Sequence, residues 1–129
     1  MPPRSPVERA LELFVQAGLY ASLGPSTEEL AAATRRDLGE VVDSWPERSR
    51  QALAATAGRV TTVQRELDRG RNHFIKAFRA RHGAENAAWP AELRNEFDRG
   101  LAEFTRKKDE TFQDAVDFLH STLDAEVRA

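Results

Sequence analysis

The three histidines are the first candidates for chemistry, because imidazole titrates nearest neutrality and the chain has no cysteine to supply a thiolate, a metal ligand or a disulfide. They are His73, His82 and His120. His73 and His82 fall on one expected helix, about 13 Å apart by helical rise. His120 is expected opposite the far end of that helix, near residue 50, so the three cannot converge. Asp117 and His120 have the i,i+3 spacing of a metal-ligand pair, but bundle metal centres need a second such pair and two inward glutamates. The pair therefore reads as a surface ion pair or cap. His82, just before Gly83, reads as a helix-end residue complementing the dipole. The glycines are scattered and none follows a predicted strand, so no phosphate-binding loop is expected. The serines lack a nucleophile elbow. No catalytic residue, metal site or cofactor is expected.

Cations form the other candidate constellation. Residues 65–82 carry Arg65, Arg69, Arg71, Lys76, Arg79 and Arg81 against Glu66 and Asp68. Arg65, Arg69, Arg79 and Arg81 are the candidate anion contacts, and in a nucleic-acid reading they would neutralise phosphates. Phe74 and Phe78 fit a hydrophobic stripe better than a stacking platform, and the facing helix offers Glu92, Glu96, Asp98 and Glu103. Net charge is −2, so any anion preference is local. A solvated, partly paired face is expected, and nucleic acid is not the expected partner.

Positioning these residues requires helices. A chain of 129 residues, 40% hydrophobic and 31% charged, suits one folded domain with two wet helix faces. Ser5-Pro6-Val7-Glu8, Ser26-Thr27-Glu28-Glu29 and Ser44-Trp45-Pro46-Glu47 each place a serine three residues before a carboxylate, the spacing of a capping box. Trp89-Pro90-Ala91-Glu92 is a fourth start, with proline in the first turn. The expected fold is all-α, a single domain over 1–129. Two short helices (6–23 and 27–43) pack at one end of a long antiparallel hairpin (45–82 and 90–127).

Seven-residue repeats set the expected seam of that hairpin: Leu53, Val60, Leu67 and Phe74 on one helix, with Thr56, Val63, Gly70 and Ala77 three further on, and Phe97, Leu101 and Phe104 on the other. The second stripe lapses at Lys108 and resumes at Phe112. Gly70 and Gly100 fall opposite each other, which predicts close backbone approach. They also sit in an echo, Leu67-Asp68-Arg69-Gly70…Phe74 against Phe97-Asp98-Arg99-Gly100…Phe104, read as two like solutions to one packing problem. Six acidic residues and no Lys or Arg lie between Asp109 and Val127, unfavourable at a helix C-terminus unless cations lie alongside. Arg48, Arg50 and Arg59 are expected to pair with them.

The first helix is too apolar for one contact. From Leu13 to Leu23 its polar line through Glu8, Glu12 and Gln16 gives way to Leu19 and Leu23, so the apolar surface wraps nearly all round. The run is about 14 residues, short of the roughly 20 that span a bilayer, and the N-terminus lacks the layout of a secretory signal. A soluble, cytoplasmic protein without transmembrane insertion is expected. Leu13, Phe14, Leu19, Tyr20 and Leu23 are the expected hydrophobic contacts, facing core, another copy or an apolar surface.

These residues carry a resemblance. Leu13-Phe14-Val15-Gln16-Ala17-Gly18-Leu19-Tyr20-Ala21, followed by Gly39-Glu40-Val41-Val42 and later by Phe78-Arg79-Ala80-Arg81-His82-Gly83 with Pro90 behind it, resembles the phasins, the polyhydroxyalkanoate granule-associated proteins. The resemblance implies a non-enzymatic bacterial coat protein, its apolar helix face on a polyester granule and its long helices pairing into homo-oligomers. Many phasins are richer in lysine and alanine, and some carry a basic DNA-contacting tail; here the tail is acidic. The alternative is a self-associating coiled-coil scaffold or adaptor.

Overall fold

A computed structural model of the chain describes residues 5–123. Among these the fold is all-α: α1 Pro6–Ser22, α2 Glu28–Val42, α3 Glu47–His82 and α4 Ala91–Leu123, with 3-10 turns at Pro25–Thr27 and Asn86–Ala88 and no strand. The expected helix residues 124–127, with Asp124 and Glu126, lie outside the described residues. The chain divides into two compact units, residues 5–62 with 112–123 among the described residues, and Val63–Thr111. α3 and α4 contribute to both.

Local chemistry fixes the helix starts. Ser5 caps α1, its Oγ accepting the Glu8 N–H at 3.1 Å, and Pro6 occupies the first turn where no N–H is needed. The second expected capping box does not form, since α2 has no side-chain cap. Thr27 turns its hydroxyl back instead, donating to the carbonyls of Tyr20 and Gly24 and closing the end of α1. Gly24 (φ 108°) and Gly83 (φ 102°) adopt the left-handed backbone that lets α1 and α3 stop.

In the first unit the core gathers Val7, Ala10, Leu11 and Val15 of α1 with Trp45, Leu53, Ala57 and Val60, and with Ala115, Val116, Leu119 and Leu123 of α4. Spacings of three and four residues put each set on one helix face. α2 packs along α1. Burying each large side chain contributes roughly 1.5–3 kcal/mol, which explains why Leu11, Leu53 and Leu119 are sealed from water.

The second unit has an aromatic core. Phe78, Trp89 and Phe97 are buried, with Phe74, Ile75, Leu93 and Leu101 packed around them. Phe74 stacks on Phe97 at 5.7 Å between ring centres, while Trp89 meets Phe97 edge-on at 5.1 Å, both within the favourable range for ring pairs. The Trp89 indole N–H donates to the carbonyls of His82 (2.9 Å) and Gly83 (3.1 Å). One side chain thus fills the core and satisfies the end of α3.

The strict heptad is corrected along α3. Leu53 and Val60 are buried and Leu67 and Phe74 half-buried, but Val63 and Ala77 are exposed, with Gln64 and Phe78 buried beside them. A straight α-helix drifts about 20° per heptad against a 3.5-residue repeat, so the buried stripe moves one position along. On α4, Phe97 is buried and Leu101 and Phe104 half-buried. The lapse at Lys108 is occupied by an ion pair to Asp68 at 2.8 Å.

Gly70 and Gly100 do mark close packing, though the partner is a ring rather than a backbone. A Cβ at Gly70 would sit 3.1 Å from Phe104 Cε1, and one at Gly100 would overlap Phe74, lying 2.8 Å from Cε1 and 2.9 Å from Cε2. Each Asp-Arg-Gly segment therefore receives the phenylalanine of the other. The echo in the sequence is a reciprocal exchange of rings.

Candidate functional site: an apolar groove between α1 and α2

The expected contacts do not share one fate. Leu13 is buried inside the chain and is withdrawn from any outer contact; Phe14, Leu19 and Tyr20 are half-buried; Leu23 is 68% exposed. The excess apolar surface is thus partly core and partly open.

Its open part is a groove of about 420 Å³, within the roughly 300–1,000 Å³ of small-molecule sites. α1 contributes Phe14, Ala17, Gly18 and Ala21, and α2 contributes Arg35, Leu38, Gly39 and Val42. Both sets follow the i, i+3, i+4, i+7 pattern of one helix face. A short connection makes the two helices antiparallel, so Phe14 and Val42 mark one end of the groove and Ala21 and Arg35 the other. Small residues create the space: a Cβ at Gly18 or at Gly39 would meet nothing within 4 Å. Exposed Leu23 and Leu30 (53%) add apolar surface on the same two-helix segment.

Of the groove residues only Phe14 was singled out as a contact. The signal available was the matched face spacing of 14, 17, 18, 21 and 35, 38, 39, 42.

The other candidates separate. His120 Nε2 lies 3.0 Å from the Ser5 hydroxyl, tying α4 to the cap of α1, and Asp117 accepts from Gln113, so the i,i+3 pair serves structural contacts. No group of three or more His, Asp or Glu among the described residues could hold a metal ion. Arg50 pairs with Glu47 of its own helix at 2.8 Å. Arg59 bonds Thr56 and lies 5.9 Å over the Phe118 ring. Neither meets the acidic residues expected for it among the described residues. Arg65, Arg69, Arg79 and Arg81 are exposed and make no ion pair among the described residues. The expected pairing with Glu92, Glu96 and Asp98 is absent there, and Glu103 is engaged by Arg106 instead.

Among the described residues, Glu103 and Arg106 are the titratable groups pulled from their ordinary range. The hydrogen bond from Arg106 holds the Glu103 carboxyl low, and the same bond raises the guanidinium. Both shifts favour the charged form of an exposed pair, opposite to a carboxyl kept protonated for proton donation. No helix among the described residues is long and apolar enough to cross a membrane. No family model, curated protein or solved structure matches the chain.

Proposed function

We propose that the protein is a non-catalytic coat or association protein, phasin-like in mode, which adsorbs to an apolar polyester or lipid-like surface through the α1–α2 face. The observation that carries this reading is the open groove, where two matched helix faces present Phe14, Leu38 and Val42 around two glycines rather than closing on each other. Covering apolar surface is favourable, and an apolar polyester or lipid-like surface would cover this face. Leu23 and Leu30 are further exposed apolar side chains on this segment, outside the groove lining.

The coiled-coil scaffold reading loses its motive, because Leu53, Val60 and Phe97 of the expected seam are buried within one chain. Self-association remains part of the coat reading, with copies packing side by side on the surface. The test is sedimentation of the full chain with polyhydroxyalkanoate particles, phospholipid-coated particles and bare hydrophilic particles. Adsorption to the first two and not the third is expected. Equal recovery from all three would remove the reading.

A further inference from the structure

We propose that the α1–α2 groove is a binding site for a single-chain monocarboxylate amphiphile, the acyl chain lying along Phe14, Gly18, Leu38 and Val42 and the carboxylate held by Arg35. The inference rests on the groove as the contact site and adds the chemistry of its occupant.

Among the described residues lining this otherwise apolar groove, Arg35 is the only charged one. Its own helix gives it no partner. The positions three and four residues away are Ala31, Ala32, Leu38 and Gly39, where a carboxylate would be needed for a helical ion pair. It has no hydrogen-bond or ion-pair partner among the described residues. Arg106 shows the contrast, being held by Glu103 at i−3 and Glu110 at i+4. A guanidinium is weakly hydrated and presents a planar fork that matches a carboxylate.

Length and charge narrow the occupant. From Arg35 to Val42 the groove runs about 10 Å along the helix, the reach of a medium-length acyl chain, with the cation at one end and Phe14 and Val42 at the other. Among the described lining residues Arg35 alone is charged, which offers one positive charge for one negative charge.

Calorimetric titration of the full chain with decanoate, decanol and decyl phosphate tests this, on wild type, Arg35→Gln and Gly39→Leu. Decanoate should bind wild type about fivefold or more tighter than decanol, as one added charge-assisted contact at a partly wet site gives, and tighter than decyl phosphate. Arg35→Gln, at an exposed helix position, should erase the preference while keeping decanol binding. Gly39→Leu should remove binding of all three, with circular dichroism confirming the helix content. Equal binding of decanoate and decanol, a preference that survives Arg35→Gln, or tighter binding of decyl phosphate would each overturn the inference. Particle sedimentation of the same samples separates it from the coat reading. Adsorption without decanoate binding removes the inference alone, whereas Arg35-dependent decanoate binding without adsorption removes the coat reading alone.

Discussion

The two units use glycine in opposite ways. In the Val63–Thr111 unit, Gly70 and Gly100 are holes filled by Phe104 and Phe74, and a methyl group at Gly100 would overlap a ring. In the first unit, Gly18 and Gly39 face open space between α1 and α2. A mid-helix glycine costs about 1 kcal/mol relative to alanine. In one unit dense aromatic packing offsets that cost, and in the other no intramolecular contact does so. Gly18 and Gly39, unlike the two filled glycines, leave room beside apolar side chains that a bound group could occupy.

Substitutions can break this comparison. Phe97→Ala removes the ring that Phe74, Phe78 and Trp89 all touch and should lower stability by about 3–5 kcal/mol, read from urea unfolding. Gly100→Ala should destabilise by about 1–3 kcal/mol, because overpacking against Phe74 outweighs the gain in helix propensity. Gly39→Ala should do the reverse, stabilising by about 0.5–1 kcal/mol, since its methyl enters open space on a helix. Opposite signs in thermal unfolding of these two alanine variants sharpen the contrast, and equal signs break it. The smallest effect belongs to Asp68 and Lys108, half-exposed across the aromatic unit. A double-mutant cycle there should return at most about 1 kcal/mol, and less in high salt.

The elements were legible where local chemistry acts alone. Ser5 with Glu8 announced the start of α1, and His82-Gly83 the end of α3. Legibility failed where the geometry of the folded helices decided. Ser26 looked like a cap, but Thr27 spends its hydroxyl on carbonyls seven and three residues back. Val63 looked like a seam residue, but helical drift moved burial to Gln64. The Asp-Arg-Gly echo was visible as a repeat, while its meaning, an exchange of rings, depended on antiparallel register. The site was half legible for the same reason. Excess hydrophobicity pointed to α1, yet Leu13 and Phe14 are adjacent in sequence and only one reaches the groove. Gly18 and Gly39 could not be told from packing glycines until both helices were in place.

If the open groove, not the filled aromatic core, is the working surface, a charge placed in it must weaken adsorption. The most direct measurement is the particle-adsorption isotherm of the Gly18→Glu/Gly39→Glu chain beside wild type, with thermal unfolding of the same samples. Charging the groove should cut adsorption at least about tenfold, equivalent to 1.4 kcal/mol, without lowering the melting temperature. Undiminished adsorption by the charged, folded variant would place the working surface elsewhere.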